Sequence, residues 1–311
     1  MDTAVSATNT SAGPNDDEPY WLGRASEEQQ RLRKQHFIWT KSIGYLIHPH
    51  IAPNLPEDAR VADVGTGTGI WMTEAAKMSP STYQFDGYDI SSTSFIAEDS
   101  LPSNVTLNIG DFKEPFPDEL QGKYDLVNIR LIIISMGGDV WQKTLRNVLT
   151  LLKPGGAIQW IEGNFFVSRG FRGGGPGSAA GHVLTQLQKH FNGVLNKRFG
   201  FNFPDWTAMY EEIGLRSVEE DVLSTDRLVD QRREFSEIGV GAVSGGLKNL
   251  AGVEKDEEGY WDVDRVEEQR RKCVEEMDDG AYFRWDLHVT IGFTPKLDFG
   301  STPTKRRKRN L

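Results

Sequence analysis

Strand and helix signals alternate along the chain between about residues 60 and 162. Short apolar runs bounded by turn residues predict strands, and the longer amphipathic stretches between them predict helices. The predicted strands are Val61–Val64, Gln84–Asp89, Val105–Ile109, a segment within Tyr124–Ile134, and Ala157–Ile161. Predicted helices run through Met78 and around Val140–Leu152. This alternation is typical of a doubly wound α/β domain, in which helices cover both faces of a mostly parallel sheet.

The flanking segments predict a helical cap. A helix begins at Ser26, which forms a capping box with Gln29. Lys153–Gly156 predicts a turn, and the Gly-rich segment Phe165–Gly177 predicts a mobile loop. Further helices are predicted at Ala179–Leu195, Trp206–Ile213, Arg232–Leu250 and Val263–Met277, and further strands at Leu215–Leu223 and Tyr282–Phe293.

These elements divide the chain into six segments. Residues 1–18 are rich in Ser, Thr, Asn and Asp and are expected to be disordered, and 300–311 form a basic disordered tail. Between them we predict an N-terminal helical cap segment (19–56), a cofactor-binding core (57–165), cap insertions with the remaining core elements (166–280), and a closing strand (281–299).

Composition narrows the class of protein. The longest apolar stretch, Leu131–Met136, is too short to span a bilayer, and the first residues do not resemble a secretory signal. A single cysteine, Cys273, excludes an internal disulfide and a multi-cysteine zinc site. We therefore expect a cytoplasmic protein that does not bind membranes. The sequence leaves the oligomeric state open, with a monomer favoured.

Charge argues against a nucleic-acid substrate. The net charge is −10, of which Lys305–Arg309 contribute +5, so residues 1–304 carry −15 and repel phosphate backbones. The basic run itself has three interpretations: a solvated end, a nuclear-import signal, or a nucleic-acid arm.

The central motif is a Gly-rich turn between a strand and a helix, in the sequence DVGTGTGIW of residues 63–71. The turn contains Gly65, Gly67 and Gly69, with Thr66 between the first two. Glycines allow a sharp turn and close approach of a ligand. The G-x-G-x-G spacing differs from that of dinucleotide enzymes, whose third glycine would fall at Ile70, and the missing lysine excludes a P-loop. Asp63 precedes the turn, where a carboxylate would repel a pyrophosphate but hold the amino group of a methionine moiety.

Two more acids follow the next two predicted strands. Asp89, beside Ile90, is placed to accept hydrogen bonds from both ribose hydroxyls of a nucleoside. Asp111 suits an adenine amino group, and Phe112 can pack on the adenine face. Singly each acid is as well explained as a turn or cap residue. Three acids at the carboxyl ends of three successive strands favour an S-adenosylmethionine site.

The same motifs, together with Tyr124–Arg130 and Leu152–Gly156, resemble the class I S-adenosylmethionine-dependent methyltransferases. More narrowly, they are similar to the fungal secondary-metabolism branch that includes LaeA-like proteins and the gliotoxin thiol methyltransferases. The resemblance implies a seven-stranded Rossmann-like sheet whose one antiparallel strand is Tyr282–Phe293. It also implies that Asn128 and Arg130 lie at the methionine end of the cofactor, beside the substrate.

No strong general base is evident in the sequence. His36 and Arg130 are the weak catalytic candidates, and the chemistry is expected to rest mainly on positioning. No His and carboxylate cluster has metal-ligand spacing, so we expect no metal. Glu162, at the end of a predicted strand, faces solvent, substrate or a capping amide. Among the many aromatic residues, the candidates for the substrate pocket are Tyr20, Trp39, Trp160 and Phe165.

The leading functional hypothesis is methylation of a small secondary metabolite, with S-adenosylhomocysteine as the product cofactor. Thiol groups of a reduced epidithiodioxopiperazine are the favoured substrate, because a thiol ionises near neutrality without a strong base. The alternatives are an N- or O-methyltransferase of another fungal metabolite, or a LaeA-like regulator that binds the cofactor with little catalysis. A nucleic-acid or protein methyltransferase fits the acidic chain less well.

Overall fold

The structure, a computed structural model, describes residues 26–136, 140–175, 177–200, 202–251 and 260–296. The segments expected to be disordered, the candidate pocket residue Tyr20 and the basic run Lys305–Arg309 lie outside these ranges. The side chains of Ser26 and Gln29, which form the predicted capping box, are also outside the description.

Seven strands form one sheet in the order β3-β2-β1-β4-β5-β7-β6. Strand β7 is antiparallel to both of its neighbours, and the other pairs are parallel. The predicted seven-stranded, mostly parallel sheet with an antiparallel closing strand is therefore confirmed. The strands are β1 (Arg60–Val64), β2 (Gln84–Asp89), β3 (Val105–Ile109), β4 (Tyr124–Arg130), β5 (Leu152–Phe171), β6 (Arg216–Ser224) and β7 (Tyr282–Phe293).

Seven α-helices cover this sheet in the described part of the chain. Two begin at an aspartate whose side chain accepts a hydrogen bond from a first-turn amide: Asp205 from Ala208 N at 3.1 Å and Asp262 from Arg265 N at 2.7 Å. The helices are α1 (Ser26–Ile43), α2 (Ile70–Met78), α3 (Val140–Leu149), α4 (His182–Phe199), α5 (Trp206–Ile213), α6 (Arg232–Ala251) and α7 (Val263–Asp278). None of the described helices is long and apolar enough to cross a membrane.

Alternating strand residues bury into different cores. Val127 of β4 packs with α3 and α5 on one face, whereas its neighbour Leu126 packs with α2 on the other. Helices α1, α4, α6 and α7 form a third core with side chains of β5 and β7. Trp39 and Trp285 are among its most deeply buried members. This helical layer is the cap that the sequence predicts.

Two predictions about β5 are wrong. Lys153–Gly156, predicted as a turn, lies in the first residues of the strand, where pairing with β4 shifts register. Phe165–Phe171, predicted as part of a mobile loop, continues the strand, and Arg169–Phe171 pair with β7 after a register shift. The glycine content has a packing reason, because a Cβ at Gly170 would lie 2.1 Å from the carbonyl oxygen of Gly181. The predicted domain limit at residue 165 therefore falls inside one strand.

The fold brings three chain segments together at one edge of the sheet. Strands β1, β2 and β4 are adjacent and parallel, so their carboxyl ends meet. Open α/β sheets bind ligands at this edge, beside the point where the strand order reverses.

Candidate functional site

The Gly-rich turn that follows β1 is held by the end of β2. The amides of Gly65 and Thr66 donate to the carbonyl oxygen of Tyr88 at 2.8 and 3.0 Å. Gly65, Gly67 and Gly69 have φ angles of +71°, +57° and +79°, a region that other residues enter at a cost. A Cβ at Gly65 would lie 2.6 Å from Ile132 Cγ2, whereas one at Gly67 would meet nothing within 4 Å.

Asp63 lies beneath this turn and is almost fully buried. Its oxygens accept hydrogen bonds from Thr66 Oγ1 at 2.6 Å and Asn128 Nδ2 at 2.7 Å. Burial raises the pKa of Asp63 to about 6, although both hydrogen bonds oppose that shift. The group is therefore mostly ionised at neutral pH.

Asn128 belongs to a row of polar side chains across three strands. Asp63, Asn128 and Gln159 occupy neighbouring register positions on β1, β4 and β5. Gln159 Nε2 donates to Asn128 Oδ1 at 2.8 Å, and Gln159 Oε1 accepts from His48 N at 2.7 Å. Because every amide has a defined donor and acceptor, the row fixes the orientation of the Asp63 carboxylate.

Asp89 ends β2 and joins the Gly-rich turn to the next loop. Its oxygens accept from the amides of Gly67 at 2.8 Å and Ser91 at 3.2 Å. Asp89 also lines a cavity at this edge of the sheet. Ile90 beside it is 46% exposed and presents an apolar face to the same cavity, as does the ring of Phe112.

Arg130, at the end of β4, pairs with His36 of α1. The guanidinium Nη1 lies 2.9 Å from His36 Nδ1. Burial, and then Arg130 and Arg33, lower the pKa of His36 to about 3, so the ring is neutral at neutral pH. Since a guanidinium can only donate, Nδ1 accepts and the ring proton is on Nε2. The structure therefore argues against His36 as a general base. Burial lowers the pKa of Arg130 only to about 10, so it stays cationic.

These groups surround one cavity of about 1010 Å³, including the space that opens to solvent. Its walls come from the Gly-rich turn, the ends of β2 and β4, the loops that follow them, and one face of α1. The lining residues are Leu32, Gln35, His36, Asp63, Gly65, Thr66, Gly67, Thr68, Ile70, Asp89, Ile90, Ser91, Ser94, Phe112, Arg130, Leu131, Ile132 and Ser135.

Three predicted cofactor residues do not line the cavity. Asn128 lies behind Asp63 and orients it. Gly69 begins α2, and a Cβ there would lie 3.0 Å from Leu107 Cδ2. Asp111 accepts a hydrogen bond from Lys113 N at 2.8 Å, so its carboxylate closes a local turn.

Of the described aromatic candidates for the substrate pocket, Trp39 and Trp160 lie in the packed interior and Phe165 is half-buried against it. Trp39 and Trp160 are 0% and 1% exposed, and Trp160 packs 5.0 Å from Trp206 between ring centroids. Phe165 lies 5.6 Å from Trp285, beneath the cap. None of the three lines the cavity. Their bulk is used to join the cap and helices to the sheet.

Sequence reasoning named His36 of α1, but it did not identify Leu32, Gln35 or the individual cavity residues of the loop after β4. Leu32, Gln35 and His36 have the i, i+3, i+4 spacing of one helix face, which is a signal for a shared surface but not for a cavity. Ile132 and Ser135 belong to the apolar stretch after Arg130, whose composition suggests an apolar pocket but does not show which of its residues face the cavity. Glu162, with three open interpretations, is fully buried and caps amides of this loop. Among the described residues, no group of three or more His, Cys, Asp or Glu is arranged to hold a metal ion.

Comparisons with known proteins agree with this geometry. A family model described as a methyltransferase domain matches residues 43–162, which contain most of the cavity wall. "N-methyltransferase gliN" of Aspergillus fumigatus is 31% identical over 216 residues, which are 68% of this chain and 72% of that protein.

Two shorter matches are closer in sequence. "Methyltransferase grgD" of a Penicillium species is 39% identical over 152 residues, 46% of this chain and 52% of that protein. "N-methyltransferase sirN" of Leptosphaeria maculans is 35% identical over 144 residues, 46% of this chain and 49% of that protein. The chain thus spans about half the length of these two relatives.

Proposed function

The chain belongs to the methyltransferase-domain family, and we propose that it transfers a methyl group from S-adenosylmethionine to a nitrogen atom of a small secondary metabolite. One observation carries the cofactor assignment. The cavity places an anionic group, Asp63, a cationic group, Arg130, and a second carboxylate, Asp89, beside apolar walls. An amino acid joined to a nucleoside needs this combination.

Each part of the cofactor has a matching group on this chain. Ionised Asp63 suits the ammonium group of the methionine moiety, and cationic Arg130 suits its carboxylate. Asp89 lies at the end of β2, where a carboxylate can accept hydrogen bonds from ribose hydroxyls, and Ile90 and Phe112 offer apolar surface for adenine. The space in front of Gly67, which a Cβ would enter without meeting another atom, leaves room for the ligand beside the turn. When bound, S-adenosylmethionine supplies an electrophilic methyl group.

The protein's own task is then to orient and to exclude water. The polar row behind Asp63 holds its carboxylate, and His36 holds one nitrogen of the Arg130 guanidinium. Leu131 and Ile132 give the reacting end of the cavity an apolar wall. Fixed groups of this kind accelerate a bimolecular displacement by alignment, which is worth up to about 7–11 kcal/mol in favourable models.

Nitrogen is the favoured acceptor for two reasons. Two of the three relatives described above carry the name N-methyltransferase. In addition, neither His36 nor Asp63 is placed to act as a general base in the described cavity. His36 accepts a hydrogen bond from Arg130, and the two oxygens of Asp63 accept hydrogen bonds from Thr66 and Asn128. An unprotonated amine nitrogen reacts through its own lone pair and does not need a base before the transfer.

A thiol acceptor is the second candidate, and the same observation supports it, because a thiol ionises near neutrality. The first experiment measures the binding of S-adenosylhomocysteine by calorimetry. The second incubates the protein with methyl-labelled cofactor and three separate substrate panels: amines with cyclic dipeptides, reduced dithiols, and phenols. Nitrogen-linked label supports the proposal. Label on sulfur alone would replace it with the thiol hypothesis. Binding without transfer to any panel would favour a cofactor-binding regulator, and absence of binding would reject the cofactor assignment.

A further inference from the structure

Glu162, near the middle of β5, is a fully buried carboxyl group that does not line the cavity. One oxygen, Oε1, accepts three hydrogen bonds: from Ile132 N at 2.8 Å, Ile133 N at 3.2 Å and Trp160 Nε1 at 3.1 Å. The other oxygen, Oε2, is buried with no hydrogen-bond partner in the described part of the chain. A buried carboxyl group with an unpartnered oxygen is costly, so its stabilising contribution must come through Oε1.

The turn whose amides donate two of these hydrogen bonds has an unusual backbone. Leu131, its first residue, has a φ angle of +59°, in the left-handed region that residues with a Cβ rarely adopt. Leu131 N donates to Ile161 O at 3.0 Å, and Ser135 N donates to Ile132 O at 2.8 Å. The amides of Ile132 and Ile133 point instead to Glu162. Without that side chain, two buried amides in a strained turn would lose their acceptor.

The same turn is a wall of the cavity. Leu131, Ile132 and Ser135 line it. Ile132 also reaches the Gly-rich turn, because a Cβ added to Gly65 would lie only 2.6 Å from Ile132 Cγ2. A shift of the turn therefore either opens a gap behind Gly65 or pushes that residue toward the ligand.

We propose that Glu162 is a positioning residue for the cavity: it fixes the Leu131–Ser135 turn through Oε1 and, through Ile132, the Gly-rich turn. The structural part of this inference concerns the two turns, and its consequence for cofactor binding rests on the proposed function. A neutral side chain with a carbonyl oxygen in the same place can do the same work, because the turn uses only an acceptor. A shorter or apolar side chain cannot.

Hydrogen exchange tests the structural part without assuming any activity. Glu162→Ala should accelerate exchange of the peptide that contains residues 131–136 by about tenfold or more, since two buried amides lose their acceptor. Glu162→Gln, which keeps the acceptor, should stay within about threefold of the native protein. Val105→Ala, in a core cluster that includes neither residues 131–136 nor Glu162, is a destabilised control that should leave this peptide unchanged relative to the rest of the chain.

A second readout is the dissociation constant of S-adenosylhomocysteine. We expect it to rise about tenfold or more in Glu162→Ala and to stay near the native value in Glu162→Gln. If Glu162→Ala does not fold, Glu162→Asp is used, since it keeps a carboxyl group but withdraws the oxygen by one methylene. That variant should show the same faster exchange.

Native-like exchange in a folded Glu162→Ala or Glu162→Asp variant would overturn the proposal, and so would a Glu162→Gln variant as defective as Glu162→Ala. If the native protein does not bind S-adenosylhomocysteine, the proposed function fails, whereas the exchange comparison still decides the role of Glu162.

Discussion

Two glycines of the same turn offer a matched test of the site geometry. Gly65 and Gly67 both have left-handed backbones, with φ angles of +71° and +57°. Alanine in that conformation costs about 1–2 kcal/mol, and this cost applies to both positions. Only at Gly65 would the new Cβ collide with a neighbour, since Ile132 Cγ2 would be 2.6 Å away. Such overpacking adds about 1–3 kcal/mol.

We therefore expect Gly65→Ala to lower the free energy of unfolding by about 2–5 kcal/mol and Gly67→Ala by about 1–2 kcal/mol. Urea denaturation followed by circular dichroism measures both values. Ligand binding is a separate readout. Gly67 faces the open cavity, so its alanine variant should lose affinity for S-adenosylhomocysteine while remaining well folded.

A double-mutant cycle identifies the cause of the difference. Ile132→Ala removes the atom that the new Cβ would meet, so Gly65→Ala should cost less in that background than in the native chain, by about 1–3 kcal/mol. The same cycle between Gly67 and Ile132 should show additivity. Equal destabilisation by the two glycine substitutions, or additivity at Gly65, would refute the contact between the Gly-rich turn and the turn after β4.

Three other outcomes are expected. Asp89→Ala should weaken S-adenosylhomocysteine binding by about 1–3 kcal/mol in calorimetry, because a charge-assisted hydrogen bond is lost, whereas Asp111→Ala, outside the cavity, should leave affinity unchanged; equal effects would contradict the assignment. Burial raises the pKa of Glu162 from 4.5 to about 8, so the native state binds this proton more tightly than the unfolded chain. The free energy of unfolding should fall as pH rises through that interval, and Glu162→Gln should lack this component in urea titrations from pH 5 to about pH 8. Gln159→Leu strands the acceptor of Asn128 and the buried amide of His48, and should cost about 2–4 kcal/mol of unfolding free energy; a neutral result would show that the row does not stabilise the fold.

Much of the fold was predictable because its signals are local. The apolar run in β1, the alternation of β7 and the Gly-rich turn each carry their own pattern, and Tyr282–Phe293 has the predicted bounds. The path of β5 was not predictable in this way. Glycines around Gly170 read as a loop, but they allow the strand to pass close to the backbone of Gly181 while β7 supplies the hydrogen bonds. The hydrogen-bonding partner, β7, is more than a hundred residues away in sequence.

The candidate site divides in the same manner. Asp63 and Asp89 follow strands whose order the topology rules fix, so their meeting at one edge could be anticipated. Asp111 follows a strand as well, but its carboxylate accepts a hydrogen bond from the nearby backbone amide of Lys113. The sequence around Trp39 and Trp160 does not show whether each ring is packed in the core or lines a cavity, and the structure places both in the core. The pairing of His36 with Arg130 joins residues from α1 and β4, which only the tertiary structure brings together.

The polar row across β1, β4 and β5 has a further consequence for how the sheet assembles. A slip of one residue in the pairing of β4 would turn Asn128 toward the apolar helices on the opposite face. Asp63 and Gln159 would then lose the side chain between them, and each buried group left without a partner costs about 1–3 kcal/mol. Val, Ile and Leu neighbours discriminate far less between registers, since any of them can fill a similar space. The three polar side chains thus specify the pairing register of the central strands. A substitution in this row that is chosen to probe the ligand cavity therefore also tests whether the strands pair correctly during folding.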